Sequence, residues 1–299
     1  MRPHSWALLL PLICVILQGG HTVVSKMSAS VISPEAISHY RWVVAVVVIA
    51  PFLTRSPIHE WPSIRRYFWH IALLSLLGMV AYQGLVYLAA KTTSATNIAI
   101  IGALAPLVSV GWAIILLGYR PGRLVLLGCA LSLVGVVELV QKGHPMEVFS
   151  HTPDVSDLYV LAGVALYSLY GVLIRKWKLP IPPNPFFFAQ ALFALAITAP
   201  GPLIGAATPL NATNGTLVLI AGLIGSATIP FLWMKSVQSV GPVASSVFTN
   251  LTPLITAAIA ITLIGEQLAL YHAVGAALII GGVALAQAET LRESVSNRA

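Results

Sequence analysis

Long stretches of this chain contain no Asp, Glu, Lys or Arg: residues 3–25, 67–90, 92–119, 179–234, 236–265 and 268–288. A helix needs about 20 apolar residues to cross roughly 30 Å of hydrocarbon. Each run is long enough for one such helix, and 179–234 is long enough for two. The apolar residues fill the runs instead of forming a stripe of 3.6-residue period, so one-sided burial in a soluble core is not what they encode. Only 8% of the 299 residues are charged, against about 25% in soluble domains. A soluble fold of this length has too few charges here to cover itself. The chain reads as an all-α, polytopic membrane protein.

Helices are expected near 5–25, 36–54, 68–90, 95–118, 123–141, 157–175, 186–206, 216–236, 243–264 and 270–288, ten in all. Turn chemistry separates them: Ser33-Pro34, Ser56-Pro57, Pro121-Gly122, Pro180 to Pro185, Asn211 to Gly215 and Gly241-Pro242. The first run lacks a small-residue cleavage site and reads as a retained helix, not a signal peptide. Cys14 and Cys129 both lie inside apolar runs, which argues against a disulfide framework or a thiolate metal site. The eight His are scattered, so no metal and no cofactor are expected.

Orientation follows from Lys and Arg. With the N-terminus inside, the inner loops receive Arg2, Arg55, Arg65, Arg66, Arg120, Arg123, Arg175, Lys176, Lys178, Lys235, Arg292 and Arg298. The outer side receives Lys26, Arg41, Lys91 and Lys142. Twelve against four predicts both termini in the cytoplasm. The net charge of +7 is then an orientation signal, and no nucleic-acid partner is expected.

A shift of 147 residues lays 102–136 on 249–283 without a gap. Leu104, Pro106 and Leu107 fall on Leu251, Pro253 and Leu254. Gly118 falls on Gly265, Gly128 on Gly275, and Gly135-Val136 on Gly282-Val283. Apolar helices share Leu and Ala by chance, but matched Pro and Gly at one offset are harder to obtain. Residues 1–142 and 157–289 form the two expected units, with a cytoplasmic tail at 290–299. Each half holds five helices, and an odd number inverts the second half relative to the first, as in many secondary transporters.

These motifs carry a family resemblance. The first half runs from helix 1 to Lys26, then Pro34 and Arg41 early in helix 2. Tyr87 to Ala95 (YLAAKTTSA), Leu104-x-Pro106, Leu116-Leu117-Gly118, Gly128 and Gly135-Val136 follow. The second half repeats the plan with Val240-Gly241-Pro242, Leu251-Thr252-Pro253, Leu263 to Glu266, Gly275 and Gly282-Val283. Over nearly its whole length the chain resembles the EamA branch of the drug/metabolite transporter superfamily. It departs at Tyr119, where the family usually has the Glu that the second half keeps as Glu266. The resemblance implies a bacterial inner-membrane transporter, similar to ten-helix exporters of amino acids and related metabolites.

Polar groups in a bilayer face the bundle interior or a wet cavity. The substrate-binding candidates are Gln18, His21, Tyr82, Gln83, Asn97, Tyr167, Tyr170, Trp233 and Asn250. Gln18 and His21 share a face of helix 1, and Tyr167 and Tyr170 share one on its counterpart, helix 6. The plainer alternative makes Gln and Asn helix ties and the Tyr interfacial. Pro106 and Pro253 each free a carbonyl one turn earlier, for a kink or a gate. Small residues on helices 5 and 10 (Gly128, Ser132, Ala273, Ala277, Gly281) suit close contact, either within the fold or in a homodimer.

The leading function is facilitative or exchanging export of a small polar metabolite by alternating access. Proton-coupled multidrug or cation export is the alternative, disfavoured because helix 1 carries no acid. An intramembrane enzyme or structural subunit is the third; no catalytic constellation stands out, and a non-enzyme is expected. Glu138 and His21 are read near outer helix ends, and Arg41 and Lys26 as outer residues able to snorkel.

Overall fold

Charge-free runs leave the backbone no partner but itself inside hydrocarbon, and helices follow. The computed structural model describes residues 8–28, 31–53, 59–89, 92, 95–150, 154–201, 208, 210–259 and 269–296, and among these every regular element is helical. The main helices are α1 (Leu9–Ser28), α2 (Pro34–Ile49, extended by a 3-10 turn over Ala50–Leu53) and α3 (Phe68–Ser75, Leu76–Ala81, Tyr82–Ala89). Next come α4 (Ala95–Gly102, Ala105–Leu117), α5 (Arg123–Val140), α6 (Val155–Trp177) and α7 (Pro183–Thr198). The chain continues with α8 (Ala212–Ile220, Ala221–Thr228, Ile229–Val240), α9 (Pro242–Val247, Phe248–Leu251, Thr252–Ile259) and α10 (Leu270–Ser296). Among the described residues seven helices are long and apolar enough to cross a membrane, and Leu9–His21 and Pro183–Thr198 are shorter apolar helices.

The ends follow local chemistry. Ser33 caps α2, its hydroxyl accepting from the Ala36 amide at 3.3 Å, with Pro34 in the first turn. Asp154 Oδ1 accepts from the Ser156 and Asp157 amides at 2.7 and 3.2 Å, and Asp157 returns a carboxylate to the Asp154 amide. Asn211 and Asn214 build the same reciprocal box at the start of α8. Both Asn head glycosylation-like triplets, and the structure uses them as caps. Gly118 ends α4 at φ +63°, a conformation that favours glycine. Tyr119 donates its amide to the Ala113 carbonyl in that turn. Its counterpart Glu266 lies outside the described residues. α10 runs eight residues beyond the expected end at 288 because neither Gly nor Pro interrupts it before Ser296.

Four helices are irregular. π-helical turns occupy Leu76–Ala81 in α3 and Ala221–Thr228 in α8. α4 breaks at Ala103-Leu104 ahead of Pro106, and α9 tightens to 3-10 over Phe248–Leu251 ahead of Pro253. A proline lacks the donor that would close the previous turn.

The bundle turns large apolar residues outward. Trp69 is 79% exposed and Ile115 71%, while Arg41 is 3% exposed and Gln190 0%. Such a distribution suits a lipid surround. α5 and α10 lie antiparallel and very close: a Cβ on Gly128 would stand 2.5 Å from the Gly282 carbonyl, and one on Gly135 2.9 Å from that of Gly275. Of the small residues read on helices 5 and 10, Gly128 and Ser132 meet Gly282 within the chain, while Ala273, Ala277 and Gly281 lie on the exposed face of α10.

Candidate functional site

The π-helical turns of α3 and α8 each carry a glycine that seats a ring. A Cβ on Gly78 would lie 2.6 Å from the Tyr170 ring of α6, and one on Gly225 would lie 2.1 Å from Nε2 of His21 on α1. Only glycine lets these rings approach so closely. Gly78 and Gly225 stand 147 residues apart, the repeat offset. α1 and α6 are likewise corresponding helices of the two halves. Two matched cradles therefore face the interior, one holding an imidazole and the other a phenol.

Aromatic rings extend from the Tyr170 cradle. Tyr167 lies 5.9 Å from Tyr170 between ring centroids, 4.9 Å from Tyr82 and 5.6 Å from Trp233, with Trp233 stacked at 27°. These separations fall within the range of favourable ring pairs. α3, α6 and α8 thus contribute to one cluster. The buried Trp233 Nε1 and the Ser226 hydroxyl, beside Gly225, have no hydrogen-bond partner among the described residues. Buried donors without partners are expensive in apolar surroundings and mark places where a ligand or water belongs.

Tyr82 and Gln83 are consecutive on α3 and face different neighbours. Tyr82 joins the aromatic cluster, and the Gln83 carboxamide oxygen accepts from Nη1 of Arg41 on α2. Arg41 also lies over the Trp42 ring at 5.6 Å. The sequence reading placed Arg41 at the outer surface, snorkelling. The structure corrects this: the side chain is buried against α3. An available signal was its position, seven residues inside a helix that then runs apolar to Leu53.

Gln18 is half-buried on α1, one turn before His21. Asn97 falls in the first segment of α4, where its side chain lies outside the described residues. Asn250 sits elsewhere: its Nδ2 donates to the Ser132 hydroxyl of α5 at 2.8 Å, tying α9 to the α5–α10 pair. Pro106 is buried at the start of the second segment of α4. That segment is clamped to α6 by the Trp112 indole on the Ala165 carbonyl (3.0 Å) and by the Ser168 hydroxyl on the Ala105 carbonyl (3.4 Å). Pro253 is half-buried in α9. Reasoning from sequence also passed over Gln190 of α7, fully buried with its Nε2 donating to the Met234 sulfur and its backbone carbonyl accepting from the Ser75 hydroxyl. Among the described residues no group of three or more His, Cys, Asp or Glu is placed to hold a metal.

Comparison with known proteins places this geometry. The EamA-like transporter family matches the chain twice, over residues 5–141 and 155–287. The uncharacterized transporter YyaM of Bacillus subtilis (strain 168) is 23% identical over 90% of this chain and 89% of its own. A Streptantibioticus cattleyicolor protein named "Probable terminal-alkyne amino-acid exporter" is 27% identical over 96% of this chain and 91% of its own. A crystal structure 18% identical in sequence superposes with a TM-score of 0.78, covering 98% of this chain and 99% of that one. This multi-pass membrane protein belongs to the EamA-like transporter family.

Proposed function

We propose that the chain is a secondary transporter that exports small polar metabolites, amino acids first among them, by alternating access around the α1–α3–α6–α8 centre. The observation that carries this reading is the pair of matched cradles, Gly78 with Tyr170 and Gly225 with His21. Each lies in a π-helical turn, an irregularity that recurs at functional sites. The halves 1–142 and 157–289 are two inverted five-helix repeats. Support comes from irregularities that recur at the 147-residue offset: the π turns of α3 and α8, and the breaks before Pro106 and Pro253. The same offset turns the contact Gly128–Gly282 into Gly275–Gly135, as a twofold relation requires.

Gln18, His21, Tyr82, Gln83, Asn97, Tyr167, Tyr170 and Trp233 bind substrate at the repeat interface, and Pro106 and Pro253 allow gating. Asn250 acts through its tie to α5. The protein lies in a bacterial inner membrane with both termini, including the 290–299 tail, in the cytoplasm. It works as a uniporter or exchanger and not as an enzyme. Its relative from S. cattleyicolor supports the amino-acid class by name.

Counterflow in proteoliposomes with a panel of labelled amino acids, with and without a pH gradient, tests the reading. Exchange that persists without the gradient is the expected result. Transport of organic cations alone, abolished by a protonophore, would replace it with the proton-coupled alternative.

A further inference from the structure

Beside the centre, between α2, α3 and α7, lies a cavity of about 260 Å³. Its polar wall is formed by Glu35, Ser38, Arg41, Gln83 and Thr198, facing an apolar wall that includes Trp42 and Met79. Gly201, just beyond α7, packs against Glu35, and His39 Nδ1 stands 3.4 Å from the Thr198 hydroxyl.

The wall carries one guanidinium and one carboxylate on the same helix. Glu35 and Arg41 are six residues apart, roughly 9 Å along the axis at about 1.5 Å per residue. Both side chains line the cavity, with the Arg41 guanidinium on Gln83 and over Trp42. Arg41 is buried, with its orientation set by Gln83 and Trp42, while Glu35 is exposed at the start of the helix. An ionisable side chain buried within a membrane span is costly and by default marks a pathway or a site. The planar fork of Arg suits a carboxylate, and a carboxylate suits an ammonium group.

We infer that this cavity is a second binding station for a zwitterionic amino acid, whose carboxylate faces Arg41 and whose ammonium group faces Glu35. The inference rests on the transport reading above and adds where both charges are recognised. The station adjoins the centre along α3: Gln83 of its wall follows Tyr82 of the aromatic cluster. A molecule with only one of the two charges matches half the wall. The apolar wall accepts an aliphatic or aromatic side chain.

The test is equilibrium binding of a labelled mixture of the twenty amino acids to the full chain in nanodiscs, run beside counterflow of the same mixture. Leucine methyl ester and N-acetyl-leucine serve as one-charge competitors against leucine. Arg41→Gln is expected to weaken binding at least tenfold, and Glu35→Gln by several-fold. Gly84→Leu covers the case in which Arg41→Gln fails to fold. Gly84 lines the cavity and a Cβ there meets nothing within 4 Å, so the leucine fills the station without disturbing the bundle. It is expected to halve the amino acid bound per chain at saturation while leaving the melting temperature unchanged. Both one-charge competitors are expected to displace label far less well than leucine. Full binding in folded Gly84→Leu and Glu35→Gln would overturn the station. Competitors as effective as leucine would overturn its two-charge character. Wild type that binds no amino acid overturns the station in either case, and the counterflow arm then shows whether the transport reading falls with it.

Discussion

The α5–α10 pair and the α3–α8 region use glycine in opposite ways. In α5 and α10 the helices are regular, and Gly128, Gly135, Gly275 and Gly282 let backbone meet backbone. In α3 and α8 the ladder is interrupted by π turns, and Gly78 and Gly225 admit a side chain from another helix. Regular helices in close contact have one good arrangement, because neither backbone can give way. A helix with a π turn has weaker internal hydrogen bonding, and its glycine packs against the tip of one ring at Gly225 and the base of another at Gly78. The first region is the frame of the bundle, and in the second a side chain, not a backbone, fills the space each glycine leaves.

Substitutions in the frame should do the greatest damage. A Cβ on Gly282 would lie 2.5 Å from the Ser132 amide and 2.6 Å from the Gly128 carbonyl, both backbone atoms. Overpacking a tight core costs about 1–3 kcal/mol or more, and here there is no flexible neighbour to absorb it. Gly282→Leu is expected to abolish folded protein in the membrane, measured as the monodisperse peak of a fluorescent fusion. Gly111→Ala, where a Cβ meets nothing within 4 Å, should leave the peak unchanged. A normal peak from Gly282→Leu would break the contrast.

The cradles come next, and they should fail differently. At Gly225 the clash is with the far end of His21, which can swing away; at Gly78 it is with the base of the Tyr170 ring, which cannot. Gly225→Ala should yield folded protein with counterflow reduced at least tenfold. Gly78→Ala should lose stability as well, seen as a lower melting temperature. Adding His21→Ala to Gly225→Ala should restore the melting temperature of any destabilised single variant without restoring transport. Normal transport in Gly225→Ala would make that cradle mere packing.

Asn250 tests the boundary between the two regions. Its hydrogen bond to Ser132 is buried, and removing it leaves the hydroxyl short of one donor. The loss is about 1–3 kcal/mol. Asn250→Ala should therefore melt earlier while retaining counterflow per folded molecule. A selective loss of transport would move Asn250 into the substrate path.

Much of this was legible in the chain, for reasons that differ by residue. Hydrocarbon admits only self-satisfied backbone, so charge-free runs located most helices. Pro106, Pro253 and Gly118 act through backbone constraints, and the structure shows a break or a left-handed turn at each described one. Arg41 reads as a snorkelling residue because its place early in helix 2 does not show which neighbour its side chain meets: as the eighth residue of α2 it turns inward to Gln83. Gly78 and Gly225 lie on the same offset as the motifs, but their role depends on a ring from another helix. Local patterns do not encode that contact. Asn250 resembled Gln83 as a polar residue in an apolar run, and only tertiary packing separates the tie from the site.

The smallest effect is expected at Glu138, the one acid placed within the sequence-expected core of a helix. It is half-buried two residues before the end of α5, at Val140, on the frame and away from both cradles. Its carboxylate lies beside the turn at Gly143, where a Cβ would stand 3.8 Å from Oε1, and its backbone carbonyl accepts the Gly143 amide. A carboxylate that carries protons through a transport cycle must meet both sides in turn, which requires a place on the moving region. An ionised acid at mid-membrane costs at least about 2.5–3.5 kcal/mol, a cost that a helix-end position largely avoids. Glu138→Gln keeps the size and the hydrogen-bonding oxygen and removes the charge. It should retain most counterflow at every imposed pH gradient, with a melting temperature close to that of wild type. If the substitution abolished uphill transport while exchange continued, proton coupling would run through the frame, and the division between a static pair and a moving pair would have to be redrawn.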